Sequence, residues 1–235
     1  MASPTNPPDG SPVYLSGPMF SAADLWQQAA IAAAVESAGY ATYLPQRDGI
    51  EVGNVMAMVN SVNDPAVAGL MQFVREIVFS MDVYQLLSRC QSVVFNMDGR
   101  VPDDGSVVEA AAAFASGRPI VIWKTTPITM LGGTDNPMVS GLAMNWQTVN
   151  ELTALPAAIA AAVAATSAAG GDAFTPAPHV QAVIDLGEQV WNAMPAIRAG
   201  VATNDPQKLI EAGEALQKAL EPYLAKAFPN APQRT

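Results

Sequence analysis

The sequence predicts an α/β chain: an open parallel sheet of about five strands flanked by helices, with a C-terminal helical hairpin. Three observations predict it. Short apolar runs at 13–16, 41–44, 92–96 and 120–123 alternate with longer segments whose apolar residues recur at helical spacing. Glycine, proline and aspartate mark each change of period. Beyond residue 178 only helical patterns remain. Such alternation builds βαβ units, and right-handed crossovers bring the loops after the strands to one rim. This is the flavodoxin/Rossmann-like arrangement, in which ligands bind at the carboxyl ends of the strands.

The elements follow in order. Residues 1–12 are rich in Pro, Ser and Asp and lack the apolar stretch of a signal peptide. They are expected to form a flexible tail on a cytoplasmic protein. Val13-Tyr14-Leu15-Ser16 is a first strand, closed by Gly17-Pro18. Ser21, with Asp24 three residues on, is a capping box that opens a helix to Ser37. Ala41 to Leu44 is a second strand, followed by a polar loop, Pro45-Gln46-Arg47-Asp48-Gly49. Met56 to Asn60 reads as a short helix. Leu70 to Arg89 is a longer amphipathic one, with Phe73, Ile77 and Met81 on one face. Ser92 to Asn96 is a third strand, Ser106 to Ser116 a helix, and Ile120 to Trp123 a fourth strand. A fifth strand is expected within Met144 to Val149, and Asn150 is expected to cap a helix to Ala165. Two helices then carry Val180, Ile184, Trp191 and Met194, and Leu209, Leu216, Leu220 and Leu224; Asp205-Pro206 opens the second. The expected organisation is a tail at 1–12, an α/β domain at 13–166, a linker at 167–178 and a helical extension at 179–235.

Composition narrows the chemistry. The net charge of −10 offers no basic stripe for a nucleic-acid polymer. No apolar run is long enough to span a bilayer, so no membrane partner is expected. The lone Cys90 cannot build a disulfide framework or a cysteine metal cluster, so no metal site is expected. The only histidine, His179, lies in a Pro-flanked stretch far along the chain, which argues against a Ser-His-Asp triad. No Gly-rich phosphate cradle is present, and no cofactor is expected. Carboxylates, tyrosine and amides remain.

Four carboxylates, Asp98, Asp103, Asp104 and Glu109, crowd the loop and helix start after the third strand, where a small molecule would bind. Each has a plain structural reading. Ser106-Val107-Val108-Glu109 is a capping box. Asp98-Gly99 and Asp104-Gly105 suit turns, as does Asn136-Pro137. Asp82 suits a solvated helix position, and Tyr14 a half-buried strand tyrosine.

Tyr14-Leu15-Ser16-Gly17-Pro18-Met19-Phe20, Leu44-Pro45-Gln46-Arg47-Asp48-Gly49, the Asp98 to Glu109 loop and Asn136-Pro137-Met138 recur in an order that resembles the nucleoside 2-deoxyribosyltransferases. The likeness covers residues 13 to 150 and stops short of the hairpin. It implies exchange of the base of 2′-deoxynucleosides through a covalent deoxyribosyl-glutamate, with free nucleobases as co-substrates. By motif, Glu109 matches the nucleophile, Tyr14 the tyrosine that orients it, and Asp82 the acid that serves the base. Asp103 and Asp98 both stand as candidates for the sugar-hydroxyl ligand. Asn136 matches an amide that reaches the 5′-hydroxyl across a subunit interface, with Met138 behind it, which implies a homo-oligomer with shared sites. Asp48, Gly17, Met19 and Phe20 fall among the substrate-binding positions. Two other activities fit the fold. One is an N-glycosidase acting on 2′-deoxynucleoside 5′-monophosphates, for which Lys124, Arg47 and Arg100 are the candidate phosphate cations. The other is a non-catalytic nucleoside-binding module.

Overall fold

Five short strands, all parallel, form one sheet in the computed structural model of the chain. It describes residues 10–50, 66–99, 102–127, 129, 132–169, 174–203 and 205–231. The expected helix at Met56 to Asn60, Arg100 and most of the N-terminal tail lie outside the described residues. The strands are β1 (Val13–Ser16), β2 (Thr42–Tyr43), β3 (Ser92–Asn96), β4 (Ile120–Trp123) and β5 (Thr148–Val149), in the spatial order β2-β1-β3-β4-β5. That order reverses between β1 and β3, which makes the crevice above their carboxyl ends the place for a ligand.

The chain divides into two compact units: residues 1–48 with 85–174, and residues 49–84 with 175–235. In the first, α1 (Ala22–Ser37) and α6 (Leu155–Ala168) cover one face of the sheet. Val13, Leu15, Val94 and Val121 pack there against Ile31, Val35, Leu155 and Ile159. The alternate residues of β1, Tyr14 and Ser16, lie on the opposite face, in register with Val93 and Phe95. That face carries α4 (Asp104–Ala115), whose Ala110 and Ala113 are fully buried. Methyl-sized side chains let the helix approach the sheet closely, which keeps the polar groups of β1 within its reach.

Local chemistry sets the helix ends. The Ser21–Asp24 capping box forms as the sequence predicts. The polar loop after β2 is instead a short helix, α2 (Pro45–Asp48), because Pro45 takes the first position and Asp48 Oδ2 accepts the Leu44 N–H. α4 starts earlier than expected: Asp103, not Ser106, is its N-cap, and it accepts from the Ser106 N–H and hydroxyl. Asn150 caps nothing; a 3-10 turn at Leu152–Ala154 leads into α6. β5 is shorter than expected, and α5 (Pro137–Ser140) is a single turn capped by Asn136.

Among its described residues the second unit is helical. It holds α3 (Ala66–Tyr84), α7 (Pro178–Ala202) and α8 (Pro206–Ala227), with Asp205 capping α8 as expected. Phe73, Ile77 and Met81 of α3 share a core with Leu186, Val190 and Met194 of α7 and Leu220 and Leu224 of α8. Gly187 is required where α7 crosses α3, since a Cβ there would lie 2.0 Å from the Ser80 carbonyl oxygen. Thus α3, which comes between β2 and β3 in sequence, belongs with the C-terminal helices. Among the described residues no helix is long and apolar enough to cross a membrane.

Candidate active site

The site grows from a period of two. Tyr14 and Ser16 share a face of β1, and both hydroxyls reach Glu109 in the second turn of α4. Tyr14 donates to Oε1 at 2.7 Å and Ser16 donates to Oε2 at 2.6 Å. Tyr14 and Ser16 are fully buried, and the Tyr14 ring packs against Tyr43 with centroids 5.3 Å apart. Glu109 does no capping work. Asp103 already satisfies the first turn, which leaves both Glu109 oxygens for β1. Burial pushes the Glu109 carboxyl above its ordinary value; the Ser16 and Tyr14 hydroxyls pull it back, and the charge of Asp103 adds a smaller push upward.

Asp98 is a fastener. Its Oδ1 accepts the N–H groups of Thr125 and Thr126, each at 2.8 Å. Its Oδ2 accepts the Thr125 hydroxyl at 2.6 Å and the Gln27 amide at 2.7 Å. Asn96, at the end of β3, donates to Gln27 at 2.8 Å and accepts the Asp98 N–H at 3.0 Å. The chains leaving β3 and β4 are thereby tied to α1. Burial raises the Asp98 carboxyl, but these hydrogen bonds outweigh it and hold the group below its ordinary value. Asp103 places both of its bonds on Oδ2, and among the described residues its Oδ1 accepts none.

The remaining sequence candidates divide by environment. Gly17 is buried against Gln28 and Asn96. Met19 is partly exposed, while Phe20 and Met138 stand about four-fifths exposed (83% and 80%). Asn136 Oδ1 accepts the Met138 N–H at 2.9 Å. Asp48 is engaged with Arg47, which also pairs with Glu36. Lys124 is buried and ion-paired with Asp135 at 2.6 Å. Asp82 is half-buried on α3, in the second unit. Cys90 is buried, and burial pushes its thiol up to about 12, so it is not a nucleophile at neutral pH. Among the described residues no group of His, Cys, Asp and Glu could hold a metal ion.

Sequence reasoning missed Ser16, Gln27 and Asn96. The signal for Ser16 was available: it stands two residues after Tyr14 on one strand, so the two must face the same way. Gln27 and Asn96 carry no comparable signal, because their pairing depends on how α1 packs on the sheet.

A family model described as nucleoside 2-deoxyribosyltransferase matches residues 13–194. The match runs past residue 150, where the sequence motifs end, and takes in part of α7. No curated protein matches the chain. Among solved structures, the crystal structure of a conserved protein from Enterococcus faecalis V583 is similar at 21% sequence identity. It covers 63% of this chain and 96% of its own, with a TM-score of 0.45.

Proposed function

This chain belongs to the nucleoside 2-deoxyribosyltransferase family, and on that premise we propose that it exchanges the base of 2′-deoxynucleosides through a covalent deoxyribosyl-enzyme on Glu109. The observation that carries the reading is the held carboxylate. Each Glu109 oxygen accepts one hydroxyl from β1, beside the crevice where a sheet of this order binds ligands. One Glu109 oxygen bonds to C1′ as the C1′–N bond breaks, and the base leaves with the bonding pair. An acid gives that base its proton, the part that the family resemblance assigns to Asp82. A nitrogen of the incoming base then bonds to C1′, yields its proton to the same acid and displaces the Glu109 carboxylate. Two inversions give net retention.

Supporting roles follow from which groups are already engaged. Asp103 suits the sugar hydroxyl better than Asp98, because among the described residues nothing donates to Asp103 Oδ1 whereas both Asp98 oxygens carry donors. Among the described residues Asn136 is bonded only through its Oδ1, and its amide N–H groups suit the 5′-hydroxyl of a substrate bound by a second copy. Phe20 and Met138 are exposed apolar groups suited to covering a sugar and base and restraining water. Among the described residues both candidate phosphate cations, Lys124 and Arg47, already hold carboxylates, which favours a nucleoside over a 5′-monophosphate.

The test is intact-protein mass spectrometry after mixing with 2′-deoxyadenosine, with chromatography of base exchange in parallel. The expected result is a mass increase of one deoxyribosyl group that is absent in Glu109→Ala. Exchange that persists in Glu109→Ala would overturn the assignment. Turnover of dAMP but not of deoxyadenosine would install the monophosphate glycosidase instead.

A further inference from the structure

We propose that Ser16 is a second positioning residue for Glu109: it and Tyr14 donate to different oxygens of one carboxylate, so the pair sets the plane in which that carboxylate meets the anomeric carbon. The proposal rests on the reading of Glu109 as nucleophile. The terminal torsion of a glutamate is broad, and a single donor on one oxygen leaves the group free to swing. A second donor on the other oxygen removes that freedom. Here the donors stand two residues apart on one rigid strand, at 2.7 Å and 2.6 Å. Both come from fully buried residues, so water does not compete at the donor end.

Ser16 has a second property. Its hydroxyl lies 3.4 Å from a second acceptor, the Ser106 carbonyl on α4. When a Glu109 oxygen bonds to C1′ the carboxylate becomes an ester and loses its charge. The Ser16 hydroxyl can then turn to Ser106 and is not stranded in a buried place, which would be costly. One hydroxyl therefore serves the free carboxylate and releases it on esterification. Among the described residues the titratable groups acting on Glu109 are Tyr14 of β1 and Asp103 at the head of α4. Ser16 favours the charged form, so its loss leaves burial less opposed.

The test uses the full chain with Ser16→Ala and Ser16→Cys, which is nearly isosteric and a weak donor. The Glu109 carboxyl is titrated by carbon-13 NMR, and kcat and KM for base exchange are measured across pH. In Ser16→Ala the carboxyl is expected to titrate about one unit higher or more, with the acidic limb of kcat/KM moving alongside. At neutral pH kcat is expected to fall about tenfold or more while KM holds, since the bond orients the nucleophile and does not touch substrate. Ser16→Cys is expected to fall between Ser16→Ala and wild type, and it decides the matter if Ser16→Ala does not fold. An unmoved titration overturns the proposal, as does lost activity with an unmoved acidic limb, which marks a merely structural role. A wild type without exchange defeats the nucleophile reading alone, because the NMR titration reads the Ser16–Glu109 bond without substrate.

Discussion

Replacing Gly17 by alanine tests how the site is held together. Gly17 does not occupy the left-handed region, so backbone freedom is not its reason. Space is. A Cβ there would lie 2.4 Å from Gln28 Nε2, 2.7 Å from Gln28 Cδ and 2.8 Å from Asn96 Cβ. Gln28 and Asn96 are themselves buried, at 1% and 0% exposure, so neither has open space to enter. Asn96 Cβ is fixed to β3, and the relief must come from the end of β1. Overpacking of this kind costs about 1–3 kcal/mol, and a lost buried hydrogen bond adds about 1 kcal/mol. The expected total of about 2–4 kcal/mol corresponds to a Tm drop of roughly 5–15 °C for a chain of this size. The same recoil displaces Ser16, the preceding residue, from Glu109; a misplacement near 1 Å lowers exchange up to about a hundredfold. Calorimetry and base exchange measured on the same preparation provide the check. A Tm within about 1 °C of wild type would refute the close-approach argument. If exchange were nonetheless lost, Gly17 would be contacting substrate rather than packing the strand.

Three further outcomes are expected. Tyr14→Phe keeps the ring against Tyr43 and removes the donor to Oε1; kcat should fall about tenfold or more, with the acidic limb of the pH profile shifted upward and the melting temperature little changed. Glu109→Gln should abolish exchange yet gain stability relative to wild type as pH rises. Burial raises the folded carboxyl, so the wild type loses stability between the unfolded value, about 4.3, and the raised folded value, while glutamine has no proton to lose. Urea melts at about pH 4 and about pH 7 should therefore show a larger difference at the higher pH; an equal difference at both would count against a raised carboxyl. Asp103→Ala should cost about 1 kcal/mol by uncapping α4 and, if Asp103 also holds the sugar, should raise KM as well; a stability loss with unchanged KM would leave it a cap alone.

The sheet and its flanking helices were legible because their cues are local. β1, β3 and β4 are apolar runs of strand length, and Ser21 with Asp24 announces α1 within four residues. The membership of α3 was not legible. Its apolar stripe shows that Phe73, Ile77 and Met81 face a core, but not which core, and Gly187 reveals the crossing only once α7 is in place. Tyr14 and Glu109 were both legible as candidates, through motif order; the bond joining them spans ninety-five residues and needs the β1–β3 pairing and the small face of α4 to form. The misplaced start of α4 has a clear cause. Asp103 and Ser106 both suit a cap, and the sequence pattern around Ser106 also ends in glutamate, so the local rule had two solutions three residues apart.

That earlier start bears on the chemistry. Four carboxylates in one loop would repel one another and raise every pKa if all were left bare. Here three are answered locally: Asp98 by Thr125, Thr126 and Gln27, Asp103 by Ser106, and Asp104 by the Gly105 N–H. Among the described residues Asp103 is the one charge that acts on Glu109, and its push is smaller than the effects of burial and of either hydroxyl. Had Ser106 been the cap, Glu109 would have sat in the first turn with its oxygens drawn to backbone N–H groups. With Asp103 as the cap, Glu109 falls in the second turn, where those donors are already used and the nearest ones are the hydroxyls of β1. Hydroxyls suit an attacking carboxylate better than a guanidinium or a cluster of amides would. They fix its direction and favour its charge, yet they withdraw less electron density than a full positive partner.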